Sequence, residues 1–391
     1  MAVRIELRRD AGKFGPATGY WVRRQQVARV MGPPDPRAIA ELVDHRGRTL
    51  GFGLYSPESG IVLRVLSYGP RPGDDWLETR LRAALAAREA LGLGADTTGY
   101  REVNSEGDGV PGLVVDRFGD VRVVQCTTAP IVARWESIVA LLDQLAPVSG
   151  ATIVIAPESA AATEGFAAVF ELRNGDAPKQ LAWLEHGRRF TAPAPPAQKT
   201  GAYHDQRENR ERFAALLRGR GPVLDLGTHV GGFAIAAAAR GSQVVAVDQS
   251  ATVLDYVRHN AAANGLGERI EPVAADMFAA LDDPRLAGPF AGIVFDPPKI
   301  AASKRDVGRA LGAMTRTLAQ LQARTLPQGL LAVCSCSHHL GEAEIDRAML
   351  DASGGAGWTR IAAWGAGPDH PVLPGHAEGE YLRVRVYLRC V

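Results

Sequence analysis

The feature that most constrains the fold is a regular alternation of apolar strands and helices that begins at Val223. Helices are predicted between the first three of these strands, and the predicted strands are 223–226, 243–248, 270–275, 292–295 and 330–334. Nearly continuous apolar strands separated by helices are typical of a parallel sheet covered on both faces. The sequence therefore predicts an α/β, doubly wound domain with a mostly parallel sheet. The charged, alternating segments 358–364 and 381–389 are expected to add an antiparallel edge.

Two regions with different patterns precede this domain. The first, up to Gly69, holds short β-rich pieces separated by turns, which indicates a small β-barrel, and a Pro-Arg-Pro-Gly segment follows it. The second combines helices predicted at 76–91 and 131–145 with strands around a Phe-Gly-Asp turn, and it indicates an α+β domain. The proline-rich stretch 191–196 is typical of a linker. We therefore expect a β-barrel at 1–70, an α+β middle domain at 71–190 and the α/β domain at 191–391.

Composition excludes some classes of protein. With Lys+Arg 44 against Asp+Glu 43, the formal net charge is +1, so bulk charge indicates no acidic partner. The four cysteines show no disulfide framework, which is typical of a reducing compartment. The N-terminal residues are polar and no uncharged run is long enough to span a bilayer. We expect a soluble, cytoplasmic protein without a signal peptide or a membrane partner, and its sequence is compatible with a homodimer.

A glycine-rich turn, Asp-Leu-Gly-Thr-His-Val-Gly-Gly at 225–232, follows the first strand of the α/β domain. Glycines let the backbone pass close to a ligand, and ligands of doubly wound sheets bind beyond the carboxyl ends of the strands. Carboxylates stand at three successive strand ends, where they can bind ribose hydroxyls or an adenine amino group. The expected cofactor-binding residues in this region are Asp225, Gly227, Gly231, Asp248 and Asp276.

The spacing of this turn favours S-adenosylmethionine over a dinucleotide. Its glycines follow the pattern Gly-x-x-x-Gly-Gly, which departs from the dinucleotide pattern Gly-x-Gly-x-x-Gly, and the sequence shows no second motif for a pyrophosphate. S-adenosylmethionine has no phosphate and fits better. The alternative, in which the three acids only cap helices or solvate loops, stays open at this point.

The segment Asp296-Pro297-Pro298-Lys299 follows the fourth strand. Two prolines fix an extended turn and remove two amide donors, so that the carboxylate and the carbonyls face whatever lies beyond the strand. Enzymes that methylate exocyclic amines typically place an aromatic residue after Pro-Pro to stack the base, whereas this chain has Lys299. We expect Asp296 and Pro297 to contact the cofactor and Pro298 and Lys299 to contact the substrate.

Cys336 follows the fifth strand, one strand from Asp296. Carbon-5 of a pyrimidine is a poor nucleophile, and it becomes nucleophilic when a thiolate adds to carbon-6. Cys336 is therefore the predicted catalytic nucleophile and Asp296 the predicted partner of ring N3, with Lys299 or His338 as a source of positive charge for the thiolate. Cys334 is interpreted as a buried structural thiol. We predict no metal, because the two thiols are spread apart along a strand and no second Cys-x-x-Cys is present.

The segment 199–206 precedes a helix predicted at 208–217. It is dense in polar groups and glycine, and we interpret it as a lid over the cofactor, with a plain interdomain loop as the alternative. Within it the expected cofactor-binding residues are Lys199, Thr200, Gly201, Tyr203 and Gln206. On the helix that follows, Asn209, Arg210 and Arg212 are expected to be solvated.

Together these motifs resemble those of the bacterial 23S ribosomal RNA cytosine-C5 methyltransferases of the large-subunit methyltransferase I type. The resemblance covers nearly the whole chain. The matching segments are Gln198-Lys199-Thr200-Gly201, Asp205-Gln206-Arg207, Gly231-Gly232-Phe233, Asp296-Pro297-Pro298-Lys299, Ser335-Cys336-Ser337, Asp369-His370-Pro371-Val372 and, in the middle region, Asp108-Gly109-Val110-Pro111-Gly112 and Asp116-Arg117-Phe118-Gly119.

The resemblance implies an N-terminal PUA domain for RNA, a central α+β domain and a C-terminal Rossmann-like methyltransferase. It implies S-adenosylmethionine as cofactor, 23S ribosomal RNA as partner, and Cys336 as the nucleophile that leads to 5-methylcytosine. Two alternatives stay open. A ribosomal RNA base-nitrogen methyltransferase would need no thiol, and a non-catalytic RNA-binding assembly factor would retain the fold without turnover.

Overall fold

The computed structural model describes residues 3–196, 200–278, 283–301 and 304–390. The chain forms two compact units, each assembled from three segments. The first unit comprises Met1–Leu184, Pro193–Ala202 and Pro368–Gly379, and the second unit comprises Glu185–Ala192, Tyr203–Gly367 and Glu380–Val391. The expected division into domains at 1–70, 71–190 and 191–391 stays a prediction. None of the described helices is long and apolar enough to cross a membrane.

The β-rich pieces before residue 70 form a six-stranded sheet in the first unit. Its strands are β1 (Arg4–Leu7), β2 (Trp21–Arg23), β3 (Val27–Met31), β4 (Ile39–Val43), β5 (Thr49–Tyr55) and β6 (Ile61–Ser67). The strand order is β2-β6-β5-β4-β1-β3, with β1 and β4 parallel and the other neighbours antiparallel. Aliphatic side chains, among them Ile5, Leu42 and Leu63, form its core.

A five-stranded sheet with helices follows in the same unit. The helices are α1 (Trp76–Ala90), α2 (Ala129–Val132), α3 (Trp135–Leu145) and α4 (Glu158–Glu164). The strands are β7 (Gly99–Asn104), β8 (Leu113–Phe118), β9 (Val121–Cys126), β10 (Thr152–Ala156) and β11 (Val169–Arg173), in the order β11-β10-β9-β8-β7. Leu81 of α1 and Leu142 of α3 pack with Val124 of the sheet. The expected α+β region is confirmed, although the helix predicted at 131–145 is two helices.

A buried ion pair joins the two sheets of the first unit. Arg64 on β6 donates to Glu164 at the end of α4 over 2.8 Å, and their side chains are 8% and 5% exposed. The Ser56 hydroxyl donates to the same carboxylate at 2.8 Å, and the Ala129 amide donates at 3.3 Å. A buried charge without a partner is very costly, so the Glu164 carboxylate and the Arg64 guanidinium each depend on the other for stability.

Replacement of Glu164 by alanine should therefore destabilise the first unit. The Arg64 guanidinium would stay buried without its counter-charge, which typically costs about 3–5 kcal/mol. The control is Glu171→Ala, because that carboxylate is 46% exposed and 3.9 Å from Arg173, and its loss should cost at most about 0.5 kcal/mol. Urea denaturation followed by circular dichroism measures both variants, and equal effects would contradict the prediction.

Two strands, β12 (Gln180–Glu185) and β13 (Arg188–Pro193), lie where the chain passes from one unit to the other. The second unit then contains a seven-stranded sheet. Its strands are β14 (Val223–Leu226), β15 (Val244–Asp248), β16 (Ile270–Ala274), β17 (Phe290–Phe295), β18 (Thr325–Ser335), β19 (Trp358–Trp364) and β20 (Arg383–Arg389). The order is β16-β15-β14-β17-β18-β20-β19, and only β20 runs against its neighbours β18 and β19.

Helices connect these strands. They are α5 (Arg207–Leu217), α6 (Gly232–Ala239), α7 (Ala251–Ala263), α8 (Val307–Ala323) and α9 (Glu342–Ser353). Met314 of α8 and Ile345 of α9 belong to one core cluster with Ile293 and Leu331 of the sheet. The predicted doubly wound α/β fold and its antiparallel edge are confirmed. Because the chain runs outward from β14 to β16 and then returns to β17, the strand order reverses between β14 and β17, where such sheets bind ligands.

The start of β18 differs from the prediction. The sequence pattern predicted a strand over 330–334. The strand instead begins at Thr325, which pairs with Phe290, and the register shifts before Leu330 pairs with Gly292. An irregularity within the strand thus accommodates residues 326–329.

Candidate active site at the strand ends of the second unit

The turn after β14 touches the turn after β17. Gly227 has φ +86°, and a Cβ atom on it would lie 2.3 Å from the Asp296 carbonyl oxygen and 3.0 Å from Cε of Met277. A side chain at this position would push the two turns apart. The Asp296 amide also donates to the Leu226 carbonyl over 3.0 Å, so the carboxyl ends of β14 and β17 are held together. The predicted cofactor turn and the Asp-Pro-Pro turn are therefore direct neighbours.

Asp225 holds the glycine-rich turn on helix α6. Its Oδ2 accepts hydrogen bonds from the Thr228 hydroxyl at 2.7 Å and from the Ala234 amide at 3.0 Å. Burial raises the pKa of this carboxyl to about 6, although these two hydrogen bonds act in the opposite direction. Its Oδ1 is buried, and no group of the described residues hydrogen-bonds to it. The carboxylate thus stabilises the turn, while a direct contact with the cofactor stays a prediction.

Backbone amides fix two further carboxylates at strand ends. Asp248 accepts from the His229 amide at 3.2 Å and from the Ser250 amide at 3.0 Å. Asp276 is exposed and accepts from the Phe278 amide at 2.9 Å. A carboxylate that accepts from one or two amides keeps further lone pairs for hydroxyl or amino groups. The two side chains are therefore suited to the ribose and adenine contacts predicted for them.

The loop that contains Cys336 is hydrogen-bonded to the loop that begins with Asp296-Pro297-Pro298. Cys336 is half-buried just beyond β18, and the neighbouring Ser337 donates its hydroxyl to the Ala301 carbonyl over 2.8 Å. Because β17 and β18 are parallel neighbours, Cys336 and Asp296 follow adjacent strand ends. Of the predicted contact residues in this loop, Pro297 is buried, whereas Pro298 and Lys299 are exposed.

The second cysteine of the pair is a different kind of thiol. Cys334 is fully buried, in agreement with its interpretation as a structural residue. Burial raises its pKa well above the ordinary thiol value, the charge of Asp296 adds to this, and a hydrogen bond from Gln206 opposes it. Such a thiol stays protonated and unreactive. Within the described part of the chain, no group of three or more His, Cys, Asp or Glu side chains is placed to hold a metal ion.

Tyr203 stands among the predicted site residues of the second unit. Its ring makes an edge contact with the His229 imidazole, with ring centres 4.9 Å apart. Burial raises the pKa of its hydroxyl, and negative charge on Asp296, Asp205, Cys336 and Asp248 raises it further. The Tyr203 phenol is therefore close enough to interact electrostatically with the Cys336 thiol and with the carboxylates at the ends of β15 and β17.

Helix α5 contributes residues that sequence reasoning missed. Asn209 and Arg210 are buried, so the expectation that they are solvated was wrong, whereas Arg212 is exposed as expected. Arg210 donates to Glu185 at 2.6 Å and to the Tyr203 carbonyl at 2.8 Å. The sequence contained a signal for the burial of Arg210. This residue lies three and seven positions before the apolar Phe213 and Leu217, and such spacing puts all three on one face of a helix.

The structure places part of the predicted lid in the first unit. Thr200 is buried there and its hydroxyl donates to Asp116, while Gly201 has φ +116° and lies against Leu181. Lys199 lies outside the described residues. The cofactor contacts proposed for these three residues stay predictions. Tyr203 and Gln206, by contrast, belong to the second unit together with Asp296.

Comparison with known proteins identifies the family. Residues 17–68 match the PUA-like domain, and residues 166–348 match the S-adenosylmethionine-dependent methyltransferases. A ribosomal RNA large subunit methyltransferase of Deinococcus radiodurans is 35% identical over 381 residues, which cover 93% of this chain and 91% of that protein. The chain belongs to the ribosomal RNA large subunit methyltransferase I family.

Two further known proteins align over similar lengths. Ribosomal RNA large subunit methyltransferase I of Photobacterium profundum is 32% identical, with 93% of each chain covered. A candidate S-adenosylmethionine-dependent methyltransferase of Streptococcus mutans is similar in structure, with a TM-score of 0.84 over 99% of this chain and 100% of the other. Its sequence is 18% identical, so that likeness bears on the fold alone.

The cofactor of this family is S-adenosylmethionine. The glycine-rich turn fits it, because Gly227 and Gly231 adopt φ values of +86° and +93° that favour glycine, and Gly227 lets the turn lie directly against the Asp296 backbone. The buried Oδ1 of Asp225, to which no described group hydrogen-bonds, and the amide-held carboxylate of Asp248 supply polar groups at the same edge of the sheet.

The Asp225 carboxyl makes stability depend on pH in a defined direction. Because its pKa is about 6 in the folded chain and 3.8 ordinarily, the folded state holds the proton more tightly than the unfolded state. This contribution is complete below about pH 4 and is lost as the pH rises through about 6. Asp225→Asn keeps an oxygen for Thr228 and Ala234 but does not titrate.

Relative to Asp225→Asn, the wild-type free energy of unfolding should fall by about 2 kcal/mol between about pH 4 and pH 7. Urea denaturation of both proteins across this range gives the difference at each pH. A difference that stays constant with pH would show that the carboxyl does not titrate as described. A difference that grows with pH would reverse the sign of the prediction.

Proposed function

We propose that this protein methylates carbon-5 of a cytosine in 23S ribosomal RNA, with S-adenosylmethionine as methyl donor and Cys336 as nucleophile. The observation that carries the proposal is the half-buried thiol of Cys336, one strand from Asp296, with the two turns tied together through Ser337 and Ala301. A reaction at a base nitrogen needs no thiol at this place. The family membership supports large-subunit ribosomal RNA as the substrate.

The chain's own residues would divide the chemistry between them. The Cys336 thiolate forms a bond to carbon-6, and the electron pair of the ring double bond moves toward carbon-5. Bound S-adenosylmethionine supplies the electrophilic methyl group. Asp296 holds ring N3 so that negative charge does not build up on the ring. Loss of the carbon-5 proton then restores the double bond and breaks the bond between sulfur and carbon-6, which frees the thiol.

Separate sets of residues would bind the cofactor and the RNA. Asp225, Gly227, Gly231, Asp248 and Asp276 would hold the cofactor at the strand ends, with Tyr203 beside them, while Pro298 and Lys299, which are exposed, would meet the RNA. We assign RNA binding to the PUA-like region at 17–68. A base in a duplex is out of reach of such a site, so the target cytosine would be unpaired or flipped out. This activity places the protein in the cytoplasm.

Cys336→Ala should abolish the activity and the covalent chemistry together. Ribosomal RNA that contains 5-fluorocytosine cannot lose its carbon-5 substituent, so the wild-type enzyme with cofactor should form an adduct that survives denaturing electrophoresis. The alanine variant should form none, because the bond to carbon-6 requires the sulfur. Cys390→Ser, which changes an exposed thiol, is the control and should behave like the wild type.

The product is identified separately. Wild-type protein, radiolabelled cofactor and ribosomal RNA are incubated, and the RNA is digested to nucleosides. Label in 5-methylcytosine is the expected result. Label in a nitrogen-methylated base, with turnover by Cys336→Ala intact, would replace the proposal by its first alternative. Failure of isothermal titration to detect cofactor binding would favour the non-catalytic assembly factor.

A further inference from the structure

Gln206 contacts the carboxylate that follows β17. It lies directly before α5 and is almost completely buried. Its Nε2 donates to Oδ2 of Asp296 over 3.1 Å. The same side chain acts to lower the pKa of the buried Cys334 thiol, two residues before Cys336 on the adjacent strand, against the larger effect of burial. One amide group thus contacts the carboxylate after β17 and lies near the strand that leads to the nucleophile.

The orientation of this amide is fixed by a second amide. Asn209, one helical turn further along, donates its Nδ2 to Oε1 of Gln206 at 2.8 Å and also to the Gly365 carbonyl at 2.9 Å. Because the NH₂ group of Asn209 must face two acceptors, the oxygen of Gln206 has to point to Asn209 and its nitrogen to Asp296. A flip of the Gln206 amide would place two donors against each other and oxygen against carboxylate.

We propose that Gln206 is a positioning residue for the reaction, which fixes the Asp296 carboxyl for recognition of cytosine, and that Asn209 sets its polarity. The inference rests on the proposed function, and it differs from the cofactor contact that the sequence suggests for Gln206. In its role here, Gln206 touches neither the cofactor nor the reacting ring. It acts through Asp296.

The chemistry of the cytosine ring explains why the polarity matters. Ring N3 of cytosine is an acceptor, so the carboxyl that faces it must present a proton, whereas uracil presents an N–H at the same position. A carboxyl has one oxygen that carries the proton and one that accepts. Gln206 donates to Oδ2, so this oxygen is an acceptor, and a proton that Asp296 gives to N3 would be on the other oxygen, Oδ1. The Gln206–Asn209 pair therefore fixes how the Asp296 carboxyl is turned toward the base.

Gln206→Glu tests this directly, because a carboxylic acid has nearly the shape of the amide. When ionised, the new carboxyl has no hydrogen to donate to Oδ2 of Asp296, so at about pH 8 kcat should fall roughly 100-fold. When protonated, it presents an O–H where Nε2–H stood. The ratio of variant to wild-type kcat should therefore rise about tenfold or more as the pH falls toward about 5.5.

Gln206→Met is the matched control, since it keeps the length of the side chain and removes donor and acceptor alike. Its kcat should also fall roughly 100-fold, but the ratio to wild type should stay flat with pH. The dissociation constant for S-adenosylmethionine, measured by isothermal titration, should change less than about threefold in both variants. Arg212→Ala, an exposed change on the same helix, should leave all of these quantities unchanged.

Three results would overturn the inference. They are a flat pH ratio for Gln206→Glu, a Gln206→Met variant as active as the wild type, and a cofactor dissociation constant raised tenfold or more with kcat at saturation unchanged. The last result would indicate that Gln206 binds the cofactor, as the sequence predicts. If neither Gln206 variant folds, Asn209→Ser decides, because it removes the amide that orients Gln206, together with its bond to the Gly365 carbonyl, and leaves Gln206 itself in place. It should lower kcat without weakening cofactor binding, and an unchanged kcat would reject the inference.

The wild-type assay separates this inference from the function on which it rests. If wild-type enzyme forms no adduct with 5-fluorocytosine RNA and no 5-methylcytosine, the proposed function is wrong whatever the variants do. If the wild type forms both and Gln206→Glu shows no recovery at low pH, cytosine-C5 methylation stands and only the role of Gln206 is rejected.

Discussion

The close approach of two backbones, at Gly227 and Asp296, is the constraint on which the rest of the site depends. The glycine Cα passes so near the Asp296 carbonyl that even a methyl group would collide with it. This contact sets the separation of the turns after β14 and β17, and hence where a ligand between those strand ends has to lie. The Asp225 clamp on α6 and the Ser337 bond to Ala301 then fix the two flanks of the same edge.

Sequence patterns predicted much of this arrangement because they report on single elements. The apolar strands from Val223 onward, and the acids that close them, follow from local periodicity and from the rule that ligands lie at strand ends. The start of β18 was missed, because Thr325 pairs with β17 and the register then shifts before Leu330. Such an extension depends on the partner strand, which is distant in sequence.

The polar start of α5 shows the other limit of sequence reasoning. Asn209 and Arg210 look like solvated helix residues one at a time, because polar side chains are usually exposed, and Gln206 was predicted to contact the cofactor. Their burial follows from partners that the sequence does not reveal. For Gln206, Asn209 and Arg210 these are Asp296, Gly365 and Glu185, which lie between 25 and 156 positions away. Buried polar groups must be hydrogen-bonded, so a network of this kind specifies one arrangement and tolerates few others.

The position of β20 has a consequence for the order in which the fold can be completed. Among the strands that the structure describes, β20 is the only neighbour of β19 and lies between it and β18, yet it is made of residues Arg383–Arg389. The first unit likewise takes Asp369 late in the chain, whose carboxylate accepts from the Arg101 amide at 3.0 Å. During synthesis, therefore, neither unit closes while the chain is still growing through residue 368. A nascent chain would keep an open sheet edge at β18 until residues 383–389 have left the ribosome, the particle whose RNA it is proposed to modify.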